Sequence, residues 1–169
     1  SDAWGSIRYT PDGSQLITYE INGQLERWDT ATGEFLSTLS MPVDDLENVV
    51  FNLEATHMAT ASRTAVTVWD TATRQSLFQI PLSDDPPLWA DFSRDGSRLA
   101  AVSEGGIVKV WDNHTGEEQL SFSVGPADCG YTMTFGKDAN QLIVSGACND
   151  VGFWDITSGE PKETLRKEV

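Results

Sequence analysis

Residues 25–40 read LERWDTATGEFLSTLS, and residues 66–80 read VTVWDTATRQSLFQI. The two stretches share the letters WDTAT, and their tryptophans, Trp28 and Trp69, are 41 residues apart. The Trp-Asp pair returns at Trp111–Asp112 and Trp154–Asp155, after gaps of 42 and 43 residues. A self-similar period of this length indicates a repeat architecture in which each repeat is one supersecondary unit. Because the chain has only six tryptophans, four at near-constant spacing are not an accident of composition.

Turn-forming sequences flank each Trp-Asp pair. YTPDGSQL, FNLEATHM, FSRDGSRL and FGKDANQL precede the pairs, and DTATGE, DTATRQ, DNHTGEE and DITSGE begin at their aspartates. Gly, Asp, Asn, Pro and Thr supply the chemistry of tight turns. The segments between the turns, such as QLITYEI, are short and rich in β-branched and aromatic residues, which is typical of strands. No stretch has a helical period with caps. Each repeat is therefore predicted to form four antiparallel strands, a to d.

The pattern within strand c predicts how these units pack. In VTVWD, Val66 and Val68 point to one face of the strand and Trp69 to the other, because side chains alternate along a strand. Both faces of each small sheet must then be buried, and radial packing of sheet on sheet achieves this. The predicted fold class is all-β: a β-propeller segment over 1–169 with four four-stranded antiparallel blades, at about 4–40, 46–82, 87–124 and 130–169.

The net charge of -15, from 26 acidic and 11 basic residues, argues against some partners. Nucleic-acid binding relies on basic surfaces that displace phosphate counterions, so no nucleic-acid partner is expected. No apolar run approaches the roughly 20 residues that a membrane-spanning helix needs, and no membrane association is predicted. The start, SDAWGSIRY, lacks the build of a signal peptide. The compartment stays open, with the cytoplasm slightly favoured.

The repeats resemble those of the WD-repeat β-propeller family over essentially the whole chain. In that family the Trp-Asp pair ends strand c, and Pro11–Gly13 matches the turn between strands a and b. The resemblance assigns a structural role to the motif residues Trp28, Asp29, Trp69, Asp70, Trp111, Asp112, Trp154 and Asp155. It also implies a non-catalytic scaffold that presents loops to protein partners.

This sequence departs from the family pattern in its polar residues. Many members have a Gly-His pair between strands d and a, whose histidine bonds an Asp in the b–c turn, then a Ser/Thr and the Trp. Here both histidines, His57 and His114, fall in other turns. The Asp position holds Asn22, Thr64, Gly105 and Cys148, and the Ser/Thr position holds Thr18, Thr60, Ala101 and Val144. The blades are therefore expected to be held mainly by apolar packing.

Four blades are fewer than the seven or eight usual for the family, so an open arc, or half-propeller, is expected. Large exposed apolar patches mark interaction surfaces. Two chains could close head to tail into an eight-bladed ring with twofold symmetry, which is the favoured arrangement. The four blades could instead belong to a larger seven- or eight-bladed propeller, as a sensory or structural module of a signalling protein, or they could close alone.

The resemblance also predicts one strongly acidic rim, because the d–a and b–c connections lie together in the family. These connections contain a single base, Arg63, and many acids: Glu20, Asp44, Asp45, Glu47, Asp84, Asp85, Glu104, Asp128 and Asp150. One interpretation is a solvated surface that provides solubility. The other is a binding rim for a basic protein partner, centred on Asp44, Asp45, Glu47, Asp84, Asp85, Glu104 and Asp128, with attraction that salt weakens.

The two cysteines, Cys129 and Cys148, lie in the d–a and b–c connections of the fourth repeat. The resemblance implies that these loops touch, so a disulfide could replace the missing polar link. The alternative is a pair of small buried residues. The aromatic residues Trp4, Trp89 and Tyr131 lie beside the inner strands, where they either pack between blades or anchor a partner at the channel mouth.

No catalytic constellation is visible in the sequence. There is no GxSxG elbow, phosphate loop or HExxH motif, and the adjacent acids of PVDDLE and SDDPPL lack the spacing of a calcium loop. No enzyme activity, cofactor or metal is predicted. An active site in the central channel, built by several blades, is the remaining catalytic hypothesis, which sequence alone does not test.

Overall fold

A computed structural model describes residues 6–10, 12–19, 24–40, 46–81, 85–147 and 149–165. The regular elements in these ranges are sixteen strands in four sheets. The strands of blade 1 are β1 Ser6–Tyr9, β2 Gln15–Tyr19, β3 Gln24–Asp29 and β4 Phe35–Ser40. Those of blade 2 are β5 Leu46–Phe51, β6 His57–Ser62, β7 Ala65–Asp70 and β8 Ser76–Pro81. Those of blade 3 are β9 Pro87–Phe92, β10 Arg98–Ser103, β11 Ile107–Asp112 and β12 Glu118–Ser123. Those of blade 4 are β13 Thr132–Phe135, β14 Gln141–Gly146, β15 Asn149–Asp155 and β16 Glu160–Leu165.

Every blade is an antiparallel meander with its strands in sequence order. This confirms the predicted fold class of four four-stranded antiparallel blades. The innermost strands lie side by side, since β9 packs against both β5 and β13, and β1 contacts β5. The blades do not close into a ring. The first and last blades therefore each keep one face without a neighbouring blade of this chain.

Apolar cores lie at the junctions between blades. Trp69 packs with Ile17 and Leu25 of blade 1 at junction 1/2. Val66 and Val68, on the other face of β7, pack against blade 3 at junction 2/3. Each inner strand thus contributes alternate residues to two different junctions, as its period-two pattern requires. Burying both faces of the sheet fixes the strand register, because a slip of one residue would exchange the two sets.

The same row of side chains recurs across each blade. In blade 2, the strand registers align Phe51, Met58, Trp69 and Ser76. The matching rows are Tyr9, Leu16, Trp28 and Phe35 in blade 1, Phe92, Leu99, Trp111 and Glu118 in blade 3, and Phe135, Leu142, Trp154 and Pro161 in blade 4. In blades 2 to 4 the row faces the preceding blade. By register, the row of blade 1 faces the space where a preceding blade would lie.

One histidine is not where the sequence suggested. His57 was expected in the a–b turn, but it is the first residue of β6. Its Nδ1 atom lies 2.9 Å from Nδ2 of Asn113 in blade 3. His57 pairs with Asp70 of β7, and its backbone N–H donates to the Asn52 side chain at 2.9 Å, so the turn ends before it. His57 therefore belongs to the contact between blades 2 and 3.

Candidate functional site

The Trp-Asp aspartates organise the turns that follow them. The carboxylate of Asp29 accepts the backbone N–H of Thr32 at 2.8 Å, and that of Asp70 accepts the N–H of Thr73 at 2.6 Å. These backbone bonds, with help from the threonine hydroxyls, lower the pKa of both carboxyls below the ordinary value. Each aspartate is thus engaged by its own turn rather than offered to a partner.

The other two motif aspartates behave in the same way. Asp112 accepts the backbone N–H of His114 at 2.8 Å, which is the main reason that its pKa is lowered. Asp155 accepts the hydroxyl of Thr157 at 2.6 Å and an ion pair from Lys162 at 2.9 Å, and both lower its pKa. A carboxylate that receives several hydrogen bonds favours its charged form. All four motif aspartates are therefore engaged within the turns that follow them.

Two of the motif tryptophans keep part of the family's polar link. The indole N–H of Trp69 donates to the hydroxyl of Thr60 at 2.9 Å, and Trp28 donates to Thr18 at 3.4 Å. Ala101 and Val144 occupy the threonine position in blades 3 and 4, so they offer no hydroxyl. The link is thus present where the sequence supplies a threonine and missing where it does not.

The structure describes part of the predicted acidic rim. Asp44, Asp45 and Asp84 lie outside the described residues, and so do Glu20 and the side chain of Asp150. Among the described rim residues, Glu47 pairs with Arg63 at 3.4 Å. Glu104 and Asp128 are exposed neighbours, because the Asp128 backbone N–H donates to the Glu104 carbonyl at 3.0 Å. The b–c turn of blade 3 and the d–a connection of blade 4 therefore meet on this rim.

Asp85 has a role that the sequence did not reveal. Its carboxylate accepts the hydroxyl of Ser103 and, at 2.8 Å, the backbone N–H of Gly105. It thereby ties the d–a connection before blade 3 to strand b and the b–c turn of that blade. A Cβ at Gly105 would lie 2.9 Å from each Asp85 carboxylate oxygen, so glycine is what allows this approach. In blade 3 a carboxylate and a glycine thus make the contact between the d–a and b–c connections.

Cys129 is buried and takes part in a disulfide. The other cysteine of the sequence, Cys148, lies outside the described residues. Its neighbour Ala147 donates its backbone N–H to the Cys129 carbonyl at 2.7 Å, so the two loops are adjacent. The pairing of Cys129 with Cys148 remains a prediction, and this contact supports it.

The inner strands surround an open axial cavity of about 400 Å³. Its walls come from all four blades: Tyr9, Val50, Phe51, Trp89, Asp91, Met133 and Thr134. The only carboxylate among these residues, Asp91, accepts the Thr134 hydroxyl at 2.9 Å and the Phe135 N–H at 3.1 Å. The cavity is thus mostly apolar and aromatic, which suits an inserted apolar side chain of a partner. Trp89 lines it, whereas Tyr131 is buried and donates its hydroxyl to the Pro126 carbonyl at 2.9 Å, and Trp4 lies outside the described residues.

Two further kinds of site have no candidate in the described part of the chain. In the ranges that the structure describes, no three His, Cys, Asp or Glu side chains gather where they could hold a metal ion. Those ranges also contain no helix of the length and hydrophobicity that crossing a bilayer requires. The candidate sites that the structure does describe are the acidic rim, the axial cavity, the faces of the open arc and one cleft between blades.

The comparisons with known proteins agree with this architecture. No family model matches the chain. It is 25% identical over 155 residues to the WD repeat-containing protein SL1-17 of Schistosoma mansoni, covering 91% of this chain and 51% of that protein. It is 27% identical over 164 residues to WD repeat-containing protein 1 of Xenopus tropicalis, covering 91% and 26%. It is 21% identical over 161 residues to apoptotic protease-activating factor 1 of Rattus norvegicus, covering 90% and 13%.

The fold also matches solved structures. A chain of Kuenenia stuttgartiensis hydrazine synthase superposes with a TM-score of 0.79 at 21% identity, over 96% of this chain and 49% of that one. At this identity the likeness shows the fold alone. The chain spans about half the length of SL1-17 and of this solved chain, and less of the other relatives. Four Trp-Asp repeats, four four-stranded sheets and relatives named for the same repeat together identify a WD-repeat β-propeller fold with four blades.

Proposed function

We propose that this chain is a non-catalytic protein-interaction scaffold whose open arc is completed by further blades of the same kind. The observation that carries the proposal is the repeat of junction residues on the two open faces. Trp69 and Met58 are 6% and 4% exposed at junction 1/2. In the same row of blade 1, Tyr9 is 66% exposed, whereas its counterpart Phe92 at junction 2/3 is 5% exposed. Blade 1 therefore presents an uncovered copy of a face that blade 2 buries.

The opposite end of the arc carries the complementary face. In blade 2, Val66 pairs with Ile80 across β7 and β8, and both are buried against blade 3. The matching pair in blade 4 is Val151 and Leu165, where Leu165 is 51% exposed. A blade with the row of blade 1, placed against blade 4, would repeat the packing of the three internal junctions. Such heterologous contacts close into a ring when the rotation permits it.

A second copy of the chain supplies both faces at once, so the proposed assembly is a homodimer that forms an eight-bladed ring. The test is the mass of the purified chain at micromolar concentration by light scattering or sedimentation equilibrium. A mass twice the 18.5 kDa of the chain supports the dimer. A monomer mass would contradict the dimer. It would favour the alternative, in which the chain is part of a larger signalling protein and the neighbouring blades of a seven- or eight-bladed propeller cover the two faces. The chain covers about half the length of SL1-17 and of the solved chain, which is compatible with the homodimer and with the larger propeller.

We further propose that the acidic rim binds a basic protein partner. Its described acids include the exposed neighbours Glu104 and Asp128, and the sequence adds Asp44, Asp45 and Asp84. Clustered charges of one sign steer an oppositely charged partner and confer salt dependence. Asp85 is left out of the test because it ties the loops of blade 3. The variant D44N/D45N/D84N should lose binding to a Lys/Arg-rich partner in pulldown, whereas E34Q/E117Q, on the c–d turns, should keep it. Equal binding by both would refute the basic-partner proposal.

A further inference from the structure

A cleft between blades 1 and 2 breaks the pattern of the internal junctions. It has a volume of about 220 Å³. Ile17, Leu25, Met58 and Trp69 contribute apolar surface to it, and two arginines, Arg27 and Arg74, line it as well. Only 11 of the 169 residues are basic. Two arginines at one apolar cleft are therefore notable in a chain of net charge -15.

The cleft lies at this junction because blade 1 lacks the apolar pair that fills the next junction. Across strands c and d, Arg27 pairs with Ser37 in blade 1, whereas Val68 pairs with Phe78 in blade 2. Val110 and Leu120 form the same pair in blade 3. These pairs face the following blade, and Val68 and Phe78 fill junction 2/3 with apolar volume. Blade 1 has a cation and a small hydroxyl residue instead, so its junction stays partly unfilled.

The second arginine replaces a glycine of the repeat. The c–d turns of the other blades have Gly33, Gly116 and Gly159 at this position, with φ of 73°, 74° and 76°. Arg74 takes the same left-handed conformation, with φ of 63°. For a residue with a Cβ this conformation is strained, and such strain concentrates at functional sites. A Cβ at Gly116 would also lie 3.0 Å from the Phe78 ring. Ser37 at the matching position of blade 1 removes that ring.

The guanidinium groups have donors left for a ligand. Gln15 Oε1 accepts from Nε and Nη2 of Arg27 at 2.8 and 2.5 Å, which orients the group. Within the part of the chain that the structure describes, Arg27 and Arg74 form no ion pair with a carboxylate, whereas Arg63 pairs with Glu47. An arginine fork matches the geometry of a carboxylate.

Two carboxylates also line the cleft, and both are engaged within their own turns. Asp12 accepts the hydroxyls of Thr10 and Ser14 at 2.6 and 2.7 Å. Asp70 accepts the N–H and hydroxyl of Thr73 at 2.6 and 2.8 Å. They remain negative, so they repel a multiply charged anion. The cleft therefore suits one negative charge attached to an apolar body.

We infer that the cleft between blades 1 and 2 binds an aromatic or aliphatic monocarboxylate, with the carboxylate at Arg27 and Arg74 and the apolar body against Met58 and Trp69. This site is distinct from the acidic rim and from the open faces of the proposed scaffold. The same chemistry is offered by a free aromatic acid and by the C-terminal residue of a peptide. The bound group differs from the basic partner proposed for the rim in the sign of its charge.

The test is a titration followed by ¹H–¹⁵N correlation spectra of the whole chain. The probes are 3-phenylpropionate, its neutral amide 3-phenylpropanamide, and N-acetyl-phenylalanine. The expected result is a shift of the amides of residues 12–15 and 70–74 with both acids, at an affinity at least tenfold above that for the amide. Tighter binding of N-acetyl-phenylalanine identifies a peptide C-terminus as the source, and tighter binding of 3-phenylpropionate identifies a free acid. Equal binding of acid and amide, or no binding by either acid, overturns the inference.

Two variants and one control variant sharpen the test. R74G restores the glycine of the other repeats, so it should fold at least as well as the wild type while losing tenfold or more in affinity for the acids. The double variant R27V/S37F installs the residues of blade 2 and should fill the cleft and abolish binding. R94A removes a cation from the a–b turn of blade 3, away from the cleft, and should bind as the wild type does. Unchanged affinity in a folded R74G would also overturn the inference.

Discussion

The indole N–H of Trp69 and the hydroxyl of Thr60 form a 2.9 Å hydrogen bond inside a covered junction, whereas the same bond from Trp28 to Thr18 is 3.4 Å long on an uncovered face. The two pairs have the same residue types at the same repeat positions. They differ in whether a preceding blade packs over the tryptophan. This difference indicates that each blade is suited to packing against a neighbouring blade on both faces.

The covered bond should contribute more to stability than the uncovered one. Thr60 is 1% exposed, so T60V leaves the indole N–H of Trp69 buried without a partner, which costs about 1–3 kcal/mol in free energy of unfolding. T18V is the matched control, because water can replace the lost partner of Trp28, and it should cost within about 0.5 kcal/mol. Urea unfolding measures both losses in the monomeric background Y9D, in which no second copy covers Trp28. A loss for T18V equal to that for T60V would contradict the difference in burial.

Asp85 should be a structural residue of the acidic rim. Because it accepts the Ser103 hydroxyl and the Gly105 N–H, D85A should lower the free energy of unfolding by about 1.5–3 kcal/mol, the range for hydrogen bonds to charged groups. E104Q, on the same rim, removes an exposed charge and should change stability by less than about 0.5 kcal/mol. Chemical denaturation checks both variants. A D85A loss as small as that of E104Q would show that the tie is unimportant.

The close approach of Gly105 to Asp85 gives a second check on the same contact. G105A places a Cβ 2.9 Å from the carboxylate oxygens, so it should destabilise the wild type. In the D85A background the obstacle is gone. The loss in D85A/G105A should therefore be smaller than the sum of the two single losses, as expected for residues in contact. Strict additivity in a double-mutant cycle would mean that the two positions do not interact.

The turn aspartates should make the fold sensitive to acid. Hydrogen bonds from the Thr10 and Ser14 hydroxyls lower the pKa of Asp12 to about 2, and the pKa values of the four motif aspartates are lowered as well. A carboxyl whose pKa is lower in the folded chain stabilises the fold fully above the unfolded value, about 3.9. That stabilisation is lost as the pH falls from about 4 through the folded pKa values.

The variant D112N removes one of these carboxyl groups and tests the direction of the predicted pH dependence of stability. Between about pH 4 and pH 2, its midpoint of thermal unfolding should fall less steeply than that of the wild type, because one fewer linked carboxyl takes up a proton on unfolding. E117Q lies at the end of the same turn and serves as the matched control for the loss of one negative charge. A D112N profile parallel to both would refute the role assigned to Asp112.

The repeat spacing was enough to predict the blades, but not the contacts between loops. The Trp-Asp pairs locate strand c, and alternation along VTVWD correctly assigns Val66 and Val68 to one junction and Trp69 to the other. Asp85 could not be separated from the other rim acids, because its role depends on the path of a loop whose sequence has no period. His57 was expected in the a–b turn, but its pairing with Asp70 makes it the first residue of β6.

One feature of the cleft is visible in the sequence, but its meaning depends on the pairing register of the strands. Arg74 stands where three repeats have glycine, and this is visible in DTATRQ beside DTATGE. Its importance depends on Arg27 and Ser37 across the junction, and these become comparable with Val68 and Phe78 only when strand pairing is known. Sequence periodicity reports what repeats share, whereas binding sites arise where one repeat differs.

Charge on the open face of blade 1 should prevent assembly. Y9D places a carboxylate at a row position whose counterpart in blade 3, Phe92, is buried by the preceding blade, so it should give a monomer mass. L36D is the matched control. Its counterpart in blade 2, Leu77, remains 48% exposed although blade 2 has neighbours on both sides, so position 36 lies outside the junction. Sedimentation equilibrium measures both variants, and a dimer mass for Y9D would place the interface elsewhere.

The most direct test of the central claim is to count blades around the axis in electron-microscopy class averages of the chain at micromolar concentration. If the open faces of blades 1 and 4 are junctions that another copy completes, the averages should show closed rings of eight blades with twofold symmetry. Open four-bladed arcs, or a ring closed by four blades alone, would contradict the account.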